Sequence, residues 1–497
     1  MAGKKAREGN RKAWEAWLQQ LEQRRSRARE MGGPERVARL MHDRGKLDAR
    51  QRIERLFDPG SFAELGQLVG SLDDIPGDGY VCGLGRINGR PALAGAEDFS
   101  LLGGSIGAGG TSKRHRIAEL ALQEGVPLVT MLEGAGHRLT NTAQARAPHD
   151  LLALADLSGH VPMVCLVLGA AAGHSALAAP LSDFVIMSEA GCMFSGGPPL
   201  VKAATGEEVT KEALGGPEVC AEIAGTAHNV APDDAAAIDM ARAYLTYFPQ
   251  NSSQPPPRRE NPDMEPRLVE EMLEIVPPDD RKPYDMHEVI GCIVDEGSFF
   301  EVQPRYGSAL ITGLAHVGGR ATAFVANNPA QRAGAIDSAA AIKATDFLGV
   351  VGHFGQPVVF LTDNPGVLAG SRAEREGILR WGGKMFEAEH RLSSAKINIL
   401  MRKGFGFGLV NMAATPFDGQ TFTYALPSVN LAAMPAGSGG QSAGLDETTQ
   451  QHVEETQRSG PYALANGLGV DEIIDPREIR NAILSALVLA EGRESRA

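Results

Sequence analysis

Val81–Arg90 reads VCGLGRINGR and Ile311–Arg320 reads ITGLAHVGGR, so that Gly83-Leu84 and Gly89-Arg90 recur as Gly313-Leu314 and Gly319-Arg320. The offset is 230 residues, and it also carries Gly125, Pro127 and Gly136 of GVPLVTMLEGAG onto Gly355, Pro357 and Gly366 of GQPVVFLTDNPG. Upstream, DPGSF ending at Phe62 echoes DEGSF ending at Phe299. Downstream, Gly169 and Gly173 in LGAAAGHS fall on Gly404 and Gly408 in KGFGFGLV. The offsets there drift to 237 and 235, as changes in loop length produce. Four blocks in one order at nearly one spacing imply a duplication. Its period far exceeds the roughly 20–50 residues of solenoid repeats, so each copy is expected to be a complete domain with its own core.

Within each copy, short apolar runs alternate with Ala-rich stretches of helical spacing. PALAGA, VPLVTML, VPMVCLVLG and DFVIM in the first half are answered by RATAFVAN, PVVFLTD and INILMRK in the second. This alternation predicts a layered α/β fold with sheets covered by helices. Residues 1–45, rich in Glu, Arg, Gln and Ala, read as a helical arm on the surface or reaching a neighbouring subunit. The first domain is expected over 46–250 and the second over 268–497, with the proline-rich, polar stretch 251–267 as linker.

Composition narrows the function. A net charge of −13 argues against a general nucleic-acid surface, which needs concentrated Lys and Arg. There is no apolar run of 18 residues, and MAGKKAREGNRK lacks the apolar core of a signal peptide, so no membrane partner and a cytoplasmic location are expected. The five cysteines are scattered without a CxxC pair, which indicates neither a disulfide framework nor a metal site.

Walker, HExxH and complete GxGxxG motifs are all absent. What each half does contain is two glycine turns, each after a buried-strand pattern and before an Ala-rich helix. Backbone N–H groups at such junctions lack intrahelical partners, and they can hold a carbonyl oxygen that becomes negative during reaction.

The stretches HDRGKLDARQRIERLFDPGSF, EDFSLLGGSIG, LSDFVIM, KAATGEEVTKEALGG, YDMHEVI, NNPAQRAGAID, NPGVLAG, GILRWGGK and GVDEIIDPREIR resemble the carboxyltransferase subunits of biotin-dependent acyl-CoA carboxylases, such as propionyl-CoA and methylcrotonyl-CoA carboxylases. The resemblance runs from about Met41 to Leu487 and implies two tandem crotonase-like domains. It implies transfer of a carboxyl group from carboxybiotin to the α or vinylogous carbon of an acyl-CoA, with the enolate held by backbone amides. The first domain would bind the CoA thioester and the second the biotin. Biotin would arrive on a separate biotin carboxylase/biotin carboxyl carrier subunit, and no metal is implied. Because the site joins domains of different subunits, a homo-oligomer is implied, dimer-based and up to a hexamer.

Carried over by position, the catalytic amides are those of Gly173 and His174 on the acyl-CoA side and of Phe407 and Gly408 on the biotin side. Gly136, His137, Arg138, Lys113 and Val410 fall at the substrate, with Arg138 and Lys113 as candidates for the CoA phosphates. Pro365, Gly366 and Leu409 fall beside biotin. The chain also departs from the family pattern. Pro-Cys-Ala-Gly-Gly-Ala is replaced by Ala170-Ala171-Ala172-Gly173-His174-Ser175, and Ala-Tyr-Gly-Gly-Ala-Tyr by Gly404-Phe405-Gly406-Phe407-Gly408-Leu409. Val410 stands where Asp is frequent, and His137 and His174 are additions. Two other readings stay open: a biotin-dependent acyl-CoA decarboxylase subunit, and a non-catalytic structural paralogue within a carboxylase complex.

Overall fold

A computed structural model describes residues 2–140, 149–259, 265–414, 418–458 and 460–494. The chain forms two compact units divided between Ala243 and Tyr244. In the first, the sheet runs Ala63–Leu65, Tyr80–Ile87, Arg90–Glu97, Leu128–Leu132, Met163–Val167, Phe184–Ser188, Asn229–Ala231. The first three strands pair antiparallel and the rest parallel. Every residue of Leu128–Leu132, Met163–Val167 and Phe184–Ser188 is buried, as a parallel sheet covered on both faces requires.

The second unit repeats the plan with Phe300–Val302, Leu310–Val317, Arg320–Asn327, Val358–Asn364, Lys396–Phe405, Phe422–Ala425 and Glu472–Ile473. Two strands, Leu310–Val317 and Arg320–Asn327, coincide end to end with their first-unit counterparts at the offset of 230. So do the isolated bridges Ile106–His137 and Ile336–Val367. Each unit has its own apolar core, the first around Leu128, Leu132, Met163 and Val185, the second around Val359, Leu361, Ile397 and Ile399.

The offset changes after the fourth strand. Leu128 pairs with Met163 and Val358 with Lys396, which moves the correspondence to 233. Ala170–Ala172, paired with Cys192–Phe194, therefore matches Lys403–Phe405, paired with Asn430–Ala432. The glycine next in line is Gly173 in one unit and Gly406 in the other. Both are left-handed, at φ 57° and 54°, a conformation in which a side chain is strained. The match of Gly173 to Gly408 read from the sequence is thus corrected by two residues.

The N-terminal arm is two helices, Ala2–Arg29 and Pro34–Leu40, with Trp14 and Trp17 exposed and Ala28, Met31 and Val37 buried at its inner end. Part of the proline-rich stretch is tied to the second sheet: Arg258 bridges Arg320, and Arg259 N–H donates to Gly319 O at 2.7 Å. Residues 260–264 of that stretch lie outside the described residues.

Candidate active site

In the first unit, strand Leu128–Leu132 runs out into Glu133-Gly134-Ala135-Gly136, and Ala170–Ala172 into Gly173 and His174. A Cβ on Gly136 would come within 2.6 Å of Ala172 O, so the two loops meet because one has no side chain. Beside them lies an open cavity of about 420 Å³ whose lining includes Gly134, Ala135, Ala170, Ala172 and Phe194.

The Gly173 N–H is taken, donating to Phe194 O at 3.0 Å. It cannot also hold a substrate oxygen, which corrects its expected place in the hole. The next two amides, of His174 and Ser175, make no backbone hydrogen bond among the described residues. The Ser175 hydroxyl donates to Glu97 at 2.6 Å. Glu97 also accepts Glu133 N–H at 2.6 Å and pairs with Arg114. Glu133 in turn pairs with Arg52 and Lys46, and Arg52 with Asp234. This buried ionic network fixes the backbone of both loops from behind.

His174 and His137 come together. Their rings are 4.1 Å apart between centroids, and His174 Nε2 lies 2.8 Å from Asp150 Oδ1. Burial would raise the Asp150 carboxyl, yet the His174 hydrogen bond and charge, with Arg114 behind, hold it below its usual range. Burial, aided by His174, pushes His137 down.

Arg138 and Lys113 do not serve as expected. The Arg138 guanidinium is buried, donating to Asp78 Oδ1 at 2.7 Å and Ser105 O at 2.8 Å. Lys113 is also buried, with its ammonium on Gly77 O and Tyr80 O. Both tie the helix Ala108–Glu124 and its neighbouring loop to the segment Gly77–Tyr80.

In the second unit, Gly408 is buried against Gly366. A Cβ there would sit 2.4 Å from Asn364 Oδ1 and 2.6 Å from Gly366 Cα. The Gly366 N–H donates to Asn364 Oδ1 at 2.9 Å, which fixes the turn carrying Pro365. The short helix Gly406–Val410 has no side-chain cap, and Phe407 and Gly408 N–H donate to no backbone carbonyl among the described residues. Phe407 directs its ring towards the helix Ile378–His390, where a Cβ on Gly382 would be 3.0 Å from it. Leu409 packs on the core and fills the space a Gly404 side chain would need. It is half-buried. Val410 is half-buried one residue on.

Sequence reasoning missed Asn411. It is fully buried, and neither atom of its amide has a hydrogen-bond partner among the described residues. A polar residue two places after Leu409 in an apolar run was the signal. An open cavity of about 600 Å³ adjoins the turn, lined in part by Asp280, Phe405, Asn430, Glu454 and Gln457. Among the described residues no group of three His, Cys, Asp or Glu is placed to hold a metal, and no helix is long and apolar enough to cross a membrane.

Two tandem crotonase-like units with paired turn sites define the class. The chain belongs to the carboxyl transferase domain family, which matches residues 40–496. It is 35% identical to the methylmalonyl-CoA carboxyltransferase 12S subunit of Propionibacterium freudenreichii subsp. shermanii, over 94% of this chain and 93% of that one. The methylmalonyl-CoA decarboxylase subunit alpha of Veillonella parvula is 34% identical over 94% of each. The biotin-dependent acetyl-/propionyl-coenzyme A carboxylase beta5 subunit of Mycobacterium leprae is 35% identical over 91% of this chain and 88% of its own. The hexameric transcarboxylase 12S structure with methylmalonyl-coenzyme A bound superposes with a TM-score of 0.90, covering 96% of both chains.

Proposed function

We propose that this chain is the carboxyltransferase subunit of a biotin-dependent acyl-CoA carboxylase, moving a carboxyl group between carboxybiotin and the α-carbon of an acyl-CoA. The observation that carries the reading is the matched pair of turns. In each unit a left-handed glycine, Gly173 or Gly406, is followed by two backbone N–H groups that donate to no backbone carbonyl among the described residues. Such donors need no reorganisation when charge develops, and each is worth about 3–4 kcal/mol in known oxyanion holes.

On this reading His174 and Ser175 N–H hold the thioester oxygen as the α-carbon loses its proton. Glu97, by accepting from Ser175 Oγ, keeps that turn in place. The Gly134–Ala135 and Ala170–Ala172 backbone shapes the cleft for the acyl group. In the second unit, Phe407 and Gly408 N–H fit a ureido oxygen, with Pro365 and Gly366 on the same side. The cradle is one that a side chain at position 408 would fill. Biotin, delivered by a partner subunit, supplies the carboxyl group and accepts the α-proton. The two half-sites come from different copies, so the working form is a homo-oligomer, and the hexamer of transcarboxylase 12S is the size to look for. The similarity to the Veillonella decarboxylase subunit supports the reverse direction as a second reading.

The test is carboxylation of free biotin by the purified chain, driven by malonyl-CoA or methylmalonyl-CoA, across a panel of acyl chain lengths. Transfer establishes competence and identifies the acyl class. Silence across the panel with CoA thioester binding intact would point to a structural paralogue.

A further inference from the structure

We infer that Asp150 and His174 form a general base in the first unit, giving the chain a biotin-independent activity: exchange of the α-hydrogens of a bound acyl-CoA with solvent. The inference rests on reading that unit as the acyl-CoA side. It goes beyond carboxyl transfer, in which biotin takes the proton.

The geometry is that of an oriented imidazole. The Asp150 side chain is buried and ionised, so at 2.8 Å from His174 Nε2 it can only accept, and Nε2 carries the hydrogen. That fixes the tautomer and leaves the Nδ1 lone pair with no hydrogen-bond partner among the described residues. The His174 side chain is partly open, at 12% exposure, while Asp150 behind it is at 3%. This is the arrangement of a base with its orienting carboxylate: the reactive group faces out and the charge is kept in.

Position supplies the second argument. His174 contributes both the imidazole and one of the two open amides. The imidazole and the open amide therefore belong to one residue of the turn, which puts the base within a few bonds of the group proposed to hold the thioester oxygen. The groups facing the ring are Asp150, His137 at 4.1 Å and His149 at 5.7 Å between centroids, with Arg114 beyond Asp150. Exposed His137 provides a route to water for the proton that His174 collects.

In the step itself, Nδ1 takes the α-proton and the C–H bond breaks. The electron pair moves onto the thioester oxygen, which the His174 and Ser175 amides hold. The imidazolium is balanced by Asp150. Its proton exchanges with water and returns to the α-carbon, so no oxidant or co-reactant is consumed. Positioned acid–base groups of this kind contribute roughly 10²–10⁴-fold.

The experiment incubates the whole purified chain with propionyl-CoA in D₂O without biotin and follows α-deuteration by mass spectrometry. The expected result is uptake above the buffer control. Asp150→Asn should lower the exchange kcat by about 10²-fold while KM holds, and His174→Gln should lower it further with propionyl-CoA binding retained. Absence of uptake from wild type that still binds propionyl-CoA and carboxylates free biotin would overturn the inference and leave the carboxyltransferase reading standing. Wild-type exchange rates in both variants would also overturn it. A chain that neither binds the thioester nor transfers carboxyl overturns both.

Discussion

The two units share a backbone but hold it with different chemistry. In the first, Glu133 N–H at the end of the central strand is held by the Glu97 carboxylate at 2.6 Å. In the second, at the same offset of 230, Asp363 N–H is held by the Asn327 amide oxygen at 3.0 Å. A buried carboxylate needs a counter-charge, and Arg114 provides it. A neutral amide does not, and the position corresponding to Arg114 is the buried Ala344. The comparison teaches that one residue choice on the third strand dictates another on the following helix. In the first unit the Glu97 carboxylate holds the strand end beside a histidine-bearing turn, whereas in the second the Asn327 amide holds it and the charge sits on Asp363, paired with Arg402 and Lys403.

Breaking the ionic version has the largest expected effect. Arg114→Ala leaves Glu97 buried without its cation and should cost about 3–5 kcal/mol in urea unfolding. Adding Glu97→Asn to that variant imitates the second unit and should recover most of the loss. If the double variant is no more stable than the single, the equivalence of the two frames fails.

The next largest effect is on activity. Gly408→Ala drives a Cβ against Asn364 and Gly366, and should lower carboxyl transfer to biotin by about 10²-fold while thioester binding to the first unit persists. Equal loss of thioester binding would contradict the division of labour.

The third effect is acid sensitivity, which the units share. His228 in the first, half-buried, and His316 in the second, buried, are each pushed down to about 4, chiefly by desolvation. Below the ordinary value of about 6.5 the unfolded chain binds protons that the native state does not, so stability falls as pH drops from about 6.5 towards 4, by about 3 kcal/mol per histidine. The Nδ1 of His228 accepts Val185 N–H at 2.9 Å, whereas neither ring nitrogen of His316 has a hydrogen-bond partner among the described residues. His316→Phe should therefore remove its share of the acid loss at little cost, whereas His228→Phe also forfeits a hydrogen bond. Unfolding curves between pH 4 and 7 separate the two.

Much of this was legible in the sequence, because the duplication is carried by strand lengths and turn residues that hold one offset from the second strand to the fourth. The register failed where glycine serves two purposes. Gly173 and Gly406 are needed for a left-handed backbone, but Gly408 is needed for its close approach to Gly366, and letters alone do not distinguish a φ angle from a contact. Arg138 and Lys113 misled for a related reason. Cations near a predicted phosphate site look available, and only the fold shows Asp78 and the Gly77 and Tyr80 carbonyls already taking them. The Asp150–His174 pair was hidden by a separation of 24 residues across a loop.

The most direct test of the account is a crystal structure of the chain with a non-hydrolysable acyl-CoA analogue. The account predicts the carbonyl oxygen in the first unit, about 3 Å from both the His174 and Ser175 nitrogens, with Gly173 N–H still on Phe194 O. An oxygen held by Gly173, or an acyl group seated at Phe407 and Gly408, would contradict it.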